Sequence, residues 1–161
     1  MSILKVDTIN EKTSGNGVVI PGHVVQVQET SALTSGNLEI SSSSLTATGI
    51  ICSITPQKND SIILIDWFVS MADHSTSYGY GKMYLKVGSG SYAAMAGSDD
   101  YTAGYKNSSY NRYAPIGMSG KYQVTSTDTL SFQPYYLANS GYIRVVHTKS
   151  SYCLRLTEIA Q

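Results

Sequence analysis

The densest set of side chains able to grip another molecule lies in residues 98–113 (SDDYTAGYKNSSYNRY), where Tyr101, Tyr105, Tyr110 and Tyr113 stand among Asp, Asn, Ser, Lys and Arg. Tyrosine offers broad contact area with little rotamer entropy to lose, and small polar neighbours adapt their hydrogen bonds; antibody loops bind this way. Aromatic faces also stack on sugar rings. A second stretch, residues 72–80 (ADHSTSYGY), adds Tyr78 and Tyr80 beside Asp73 and His74. Tyr78, Tyr80, Tyr101, Tyr105, Tyr110 and Tyr113 are therefore the candidate receptor-binding set, each contact weak and summed by repetition in an assembly. The other role open to them is packing against neighbouring loops or subunits, with their hydroxyls bonded to backbone.

Chemistry beyond binding finds little footing. Asp99 and Asp100 are adjacent, so on an extended backbone they point opposite ways and do not make the facing carboxylates of a glycosidase. Asp73, His74, Asp99 and Asp100 match no metal-loop spacing. The run 88–93 (GSGSYA) imitates a dinucleotide fingerprint, but no helix follows and a hairpin turn accounts for it better. No catalytic residue, metal or cofactor is expected, and the chain reads as a non-enzyme. His23 and His147 read as strand residues with ordinary hydrogen bonds. Cys52 and Cys153, each flanked by apolar strand residues, read as buried thiols, with a disulfide as the alternative.

The chain has 161 residues, enough for one domain with a real core. Charged residues make up 14%, with eleven basic against eleven acidic, so the polar surface is built largely from Ser, Thr, Gly and thirteen Tyr. A net charge of zero gives no long-range pull toward nucleic acid or an anionic bilayer, and neither is an expected partner. No apolar run is long enough to span a membrane, and the first ten residues lack the pattern of a secretion signal; synthesis in a cytoplasm is expected.

Helical periodicity is absent and two-residue alternation is everywhere, which predicts an all-β chain. Strands are expected over residues 23–28, 45–55, 61–71, 80–87, 91–96, 121–125, 130–137, 142–147 and 152–159. Residues 56–60 (PQKND), 88–90 and 138–141 (ANSG) read as hairpin loops. Met83, Leu85 and Val87 alternate with Lys82, Tyr84 and Lys86, assigning an inward and an outward face. Tyr152, Leu154 and Leu156 do the same against Cys153, Arg155 and Thr157, so the chain's end is expected inside a sheet. The run 62–69 (IILIDWFV) is apolar on both faces and is expected to be covered on each side, by a second sheet and a loop or by another subunit, with Asp66 read as a structural hydrogen-bonding residue and a catalytic role as its alternative. Residues 30–44 read as a Ser-rich loop or linker within the domain.

Residues 1–22 differ from the rest. Leu4, Val6, Ile9, Val18, Val19 and Ile20 sit in β-prone pieces too short to be stable alone, separated by a hydrophilic stretch. They read as an attachment or intertwining arm, the oligomerisation and anchoring residues of the chain, with residues 23–161 as a β-sandwich.

Several pieces resemble one family. The opening LKVDTI (4–9), GVVIPG (17–22) and VVQVQ (24–28), the pair SITP (53–56) and SIILI (61–65), and the closing LTEIAQ (156–161) are similar to short tail-fibre-like structural proteins of tailed bacteriophages, of marine and cyanobacterial type. The resemblance covers both ends and one internal segment; residues 70–120 match nothing in it. It implies a virion protein made in a bacterial cytoplasm: a homotrimeric, jelly-roll-like antiparallel sandwich. The arm would meet other virion proteins, and outward tyrosines would meet a host surface glycan or protein. A capsid decoration, cement or collar protein is the alternative it leaves open.

Overall fold

The computed structural model describes residues 22–33, 36–74, 78–95, 101–105, 112–148 and 150–161, with backbone alone at 33, 71–74, 78, 101–105 and 112–114. Twelve strands make up its regular structure: β1 (Val24–Leu33), β2 (Leu38–Ile40), β3 (Thr46–Ala47), β4 (Cys52–Ile54), β5 (Ile62–His74), β6 (Tyr78–Val87), β7 (Ala93–Ala94), β8 (Tyr101–Tyr105), β9 (Arg112–Gln123), β10 (Leu130–Ala138), β11 (Ile143–Val146) and β12 (Ser151–Ile159). No helix occurs among the described residues.

Several of these strands are one strand to their neighbours. β1 and β2 run along β12 and β11, β3 and β4 both run along β10, and β7 and β8 both run along β6. Counted so, the described residues form eight strands in two antiparallel sheets. The first holds β1/β2, β11/β12, β5 and β9; the second holds β3/β4, β10, β6 and β7/β8. Pairing is nested: Val24 lies opposite Ile159, Ile54 opposite Leu130, Ile62 opposite Gln123 and Leu85 opposite Ala93. Each pair straddles the same point of the sequence, close to the turn at Gly88–Gly90. The fold is thus one long antiparallel ribbon, bent back at that turn and rolled into two layers, which is the jelly roll.

The nested order settles the predicted turns. Gly88 takes a positive φ of 53°, a conformation open to glycine at no steric cost, and Gly90 N donates to Val87 O at 3.0 Å, so the hairpin there is real. The other two predicted hairpins are corrected. Residues 56–60 carry the chain from β4 in the second sheet to β5 in the first, and 138–141 carry it from β10 to β11 in the same sense. Turn composition reports that a chain reverses and does not report which sheet it enters.

Three further expectations change. The stretch 30–44 is partly strand: β1 continues to Leu33 and β2 covers Leu38–Ile40, because Thr30 and Ser31 pair with Leu154 and Cys153. β9 begins at Arg112, nine residues before the expected start, since β5 offers a ladder that overrides two glycines; Pro115 falls at the register shift, on a strand with one described neighbour. Within the chain β5 is covered on one face, so of the two covers expected the second would have to come from another subunit. Ile63, Ile65, Trp67 and Val69 are buried, whereas Leu64 and Phe68 are 40% and 50% exposed, and Asp66 faces out opposite Arg155. Elsewhere the alternation holds except at Val87, expected inward and 38% exposed at the end of β6: Leu154 and Leu156 are buried and Arg155 exposed, and Met83 is buried behind outward Lys82 and Tyr84. Both cysteines are free, Cys52 buried and Cys153 half-buried, and burial pushes each thiol above its ordinary pKa.

Between the layers, Trp67 Nε1 donates to Tyr136 Oη at 2.8 Å, tying the central strands of the two sheets. The Tyr136 ring lies against Gly81 of β6, where a methyl group would overlap it. A second tie closes one end. Glu158, fully buried on β12, accepts from Ser61 Oγ and Gln26 Nε2 at 2.6 Å each and from Gln57 N at 3.0 Å, so the β4–β5 crossing is held by the last strand.

Gly81→Ala is expected to cost about 1–3 kcal/mol, the usual penalty of overpacking; urea denaturation measures it, and an unchanged midpoint would show that the ring steps aside. A pH effect follows from Tyr136, whose hydroxyl burial pushes far above the ordinary tyrosine range, with the Trp67 bond pulling the other way. The unfolded chain ionises this tyrosine near pH 10 while the folded chain keeps it protonated, so above that pH the unfolded state binds fewer protons and stability falls. Wild type should lose about 1.4 kcal/mol per pH unit more than Tyr136→Phe above about pH 10. Denaturant midpoints followed across that range would run parallel for the two proteins if the hydroxyl were not buried.

Candidate functional site: the tyrosine face of the second sheet

Alternation along β6 and β10 builds the site. With Gly81, Met83 and Leu85 turned to the core, Tyr80, Lys82, Tyr84 and Lys86 face outward; with Phe132, Pro134 and Tyr136 turned in, Ser131, Gln133 and Tyr135 face the same way. Register sets them in two rows. Lys82 lies opposite Tyr135, Tyr84 opposite Gln133 and Lys86 opposite Ser131.

The tyrosines touch one another. Tyr84 and Tyr135 stack with centroids 3.9 Å apart and planes 20° from parallel, and Tyr92, just before β7, tilts against Tyr135 at 6.3 Å. Lys86 Nζ sits 5.5 Å from the centre of the Tyr92 ring, within cation–π range. Beneath the rings Gln133 and Ser131 are buried, and Ser131 Oγ shares a 2.8 Å hydrogen bond with Ser53 Oγ of β4. The Tyr92 hydroxyl is the one buried side-chain oxygen or nitrogen without a hydrogen-bond partner among the described residues. Burial, then the adjacent Tyr135, push its ionisation above the ordinary value, and the Ser131 hydroxyl, near it but outside good hydrogen-bond geometry, pulls the other way. The outer face of the second sheet is thus a group of half-buried rings beside buried Gln133 and Ser131, with lysines along β6.

Of the six tyrosines expected from the sequence, Tyr80 lies on this face. Tyr78, Tyr101 and Tyr105 belong to strands of the same sheet, with Tyr78 paired to Tyr105 and Gly81 to Tyr101, and Tyr113 belongs to β9 of the other sheet; the side chains of all four lie outside the described residues, as does Tyr110 altogether. The stretch 101–105, outside the expected strands, is β8. The sequence reading missed Tyr84, Tyr92 and Tyr135. A signal for them existed: Tyr84 was already assigned outward, and Tyr135 follows from the same alternation in β10. Their meeting depends on the β6–β10 register, which no local pattern gives. The side chains of Asp73, His74, Asp99 and Asp100 also lie outside the described residues, as do Leu4, Val6, Ile9, Val18, Val19 and Ile20. Among the described residues no group of three His, Cys, Asp or Glu side chains is placed to hold a metal.

Two other surfaces bear on function. An apolar groove of about 310 Å³ opens at the tip of the ribbon between Leu85, Val87, Ala93, Met95 and Tyr122. The outer face of the first sheet exposes Val24, Val27, Leu64 and Phe68, each 40–51% accessible. The Arg155–Glu29 ion pair at 2.7 Å lies among them.

No family model matches the chain, and no curated protein matches it in sequence. Among solved structures it is similar to the subviral particle of infectious bursal disease virus VP2, with 10% identity over 84% of this chain and 33% of that one and a TM-score of 0.48. It is also similar to a structure of the Gx strain of that virus, with 11% identity, 98% and 47% coverage and a TM-score of 0.34. A third similarity is to the CBM22-1 xylan-binding domain of Xyn10C from Paenibacillus barcinonensis, with 10% identity, 89% and 97% coverage and a TM-score of 0.32. The chain thus spans about a third of the length of the first of these and about half of the second. The jelly-roll assignment rests on strand order and register alone.

The stacked pair is expected to couple. In a cycle of Tyr84→Ser, Tyr135→Ser and the double variant, all three should stay folded by circular dichroism, with an interaction term of about 0.5–1.5 kcal/mol from thermal denaturation. Strictly additive losses would mean the rings do not rest on each other.

Proposed function

We propose that this chain is a non-enzymatic structural protein of a virion, of the tail-fibre-like kind, and that it helps hold the particle to its host through the tyrosine face of the second sheet. The carrying observation is the Tyr84–Tyr135 stack with Tyr92 and Lys86, an aromatic and cationic platform on the outside of a rigid sheet. Sites on strands hold their side chains more tightly than sites on loops. The similarity of both chain ends to phage tail-fibre-like proteins supports the virion setting, and the jelly roll is a fold that viral shells and lectins share. In this reading residues 1–22 join neighbouring copies into a homotrimer and link them to other virion proteins, and three copies of a weak site combine by multivalency.

The outer face of the first sheet favours a second reading, in which the protein decorates or cements a capsid or sits in a collar. Four exposed large apolar residues on one sheet face suit a lasting protein contact more than a solvated exterior. Both readings share this face as a place for protein, whether a copy or a shell.

Pull-down of whole host cells with the full-length protein separates them, with mass by light scattering in parallel. Tyr84→Ser/Tyr135→Ser should keep the wild-type mass and lose most cell binding. Leu64→Ser/Phe68→Ser should lower the mass and, by removing multivalency, weaken cell binding by about a hundredfold. Equal cell binding by a folded tyrosine variant would remove attachment through this face and leave the decoration reading.

A further inference from the structure

We infer that the apolar groove at the tip of the ribbon seats an arm from a second copy of this chain, with Leu4 and Val6 of the segment 4–9 set into it. The inference rests on the reading above that residues 1–22 join neighbouring copies, and it names where the arm lands.

The two seams of the sandwich are finished differently. At one, Gln26 Nε2 donates to Thr55 O at 2.7 Å and Thr30 Oγ1 to Ile51 O at 2.9 Å, so β1 and β4 are stitched together. At the other, the layers part near the Gly88–Gly90 turn into a groove of about 310 Å³ between Leu85, Val87, Ala93, Met95 and Tyr122. The strands flanking it, β7 and β9, each end their sheet, and among the described residues no strand pairs along the outer edge of either. Edges of this kind accept an added strand. A cavity of about half that volume takes up a benzene molecule, so this one has room for about two aliphatic side chains. Met95 lies at its base, buried against Gly120 of β9.

Position and length select the occupant. The arm enters β1 through Gly22, whose N donates to Ala160 O at 2.8 Å. From there Val24, Ile159, Ile62 and Gln123 stand side by side across the first sheet, and Tyr122, next to Gln123, lines the groove. Arm and groove therefore share one end of the sandwich, about 14 Å apart at the spacing of strands. Val18, Val19 and Ile20 are tethered within about 14 Å of Gly22, whereas residues 10–21 carry the segment 4–9 up to about 40 Å away, roughly the width of a domain.

Sequence pattern fits the segment to the groove. In LKVDTI, Leu4 and Val6 alternate with Lys5 and Asp7, so as a strand it turns two aliphatic side chains to the groove and two charged ones to water. A second copy is the better source. An arm folded back onto its own groove would leave the consecutive aliphatic residues Val18, Val19 and Ile20 looped in water, whereas an arm crossing to a neighbour carries them along the contact between copies.

Co-expression of two full-length chains tests the inference. One carries Val6→Cys, the other Ala93→Cys and a tag that sets its mass apart, both with Cys52→Ala and Cys153→Ser, and a short bis-maleimide joins thiols that lie together. The band holding one chain of each kind should be about tenfold stronger than when Thr46→Cys, on the far edge of the same sheet, replaces Ala93→Cys. Ala93→Trp, which fills the groove, should lower the mass by light scattering and leave circular dichroism unchanged. Equal bands, wild-type mass in folded Ala93→Trp, or a cross-link found only within single chains carrying both Val6→Cys and Ala93→Cys would each overturn the inference. Leu4→Ser/Val6→Ser separates this failure from that of the parent reading. If that variant loses mass while the bands are equal, the arm joins copies and the groove is not its seat; if it keeps the wild-type mass, the arm reading itself falls.

Discussion

The hydrogen bond between Trp67 and Tyr136 is the constraint on which the two-layer arrangement turns. Both groups are buried in an otherwise apolar core, so each polar atom must find its partner there or be stripped of water at a cost of about 1–3 kcal/mol. The bond forms only if β5 of one sheet and β10 of the other cross at one relative position, and only if β6 lets the Tyr136 ring lie flat. Gly81 meets that condition by having no side chain. Apolar packing around it, from Ile63, Ile65, Phe132 and Leu154, tolerates small slides between layers. A single directional bond does not, and it fixes the register that generic burial leaves loose.

The open seam of the sandwich is managed by polar groups. Inward-facing positions of β1 hold Gln26 and Thr30 where a core strand would place aliphatic residues; Gln26 Nε2 donates to Thr55 O at 2.7 Å and Thr30 Oγ1 to Ile51 O at 2.9 Å, joining the edge of the first sheet to the edge of the second. Glu158 extends the same seam inward by binding the backbone of the β4–β5 crossing. These bonds satisfy groups that an open sheet edge would leave exposed, and edges left open invite pairing with other chains. The closing LTEIAQ of the sequence therefore has a physical reason for its Glu: the carboxylate is the acceptor around which residues 57–61 fold.

What could be read from the sequence divides along the same line. Faces were legible wherever alternation was clean, as in β6 and β12, because a period of two is a property of one strand. Layering was not. Whether PQKND or ANSG makes a hairpin or a crossing depends on pairing partners about forty to a hundred and ten residues away in sequence, and β9 was hidden because Pro115, Gly117 and Gly120 lower its intrinsic strand preference while β5 supplies the ladder. The site suffered the same loss. Tyr84 and Tyr135 are fifty-one positions apart and meet only through the β6–β10 register, whereas the tyrosines that drew attention were those clustered in sequence. Local density of a residue type is a weak guide to a site in a fold built from long-range pairs.

Nesting also explains how one small chain keeps two exteriors apart. Because the eight merged strands, apart from the β6–β7 hairpin, alternate between the sheets, residues near in sequence look out from opposite sides of the molecule: Phe68 and Lys82 are fourteen positions apart and stand on different faces. The layer between them is built mainly from buried apolar side chains. Substitutions at Tyr84, Lys86 or Tyr135 therefore perturb the first sheet only through packing, which distant sites transmit weakly. The mixed apolar and ion-paired exterior of the first sheet and the aromatic, lysine-bearing exterior of the second are what that separation permits.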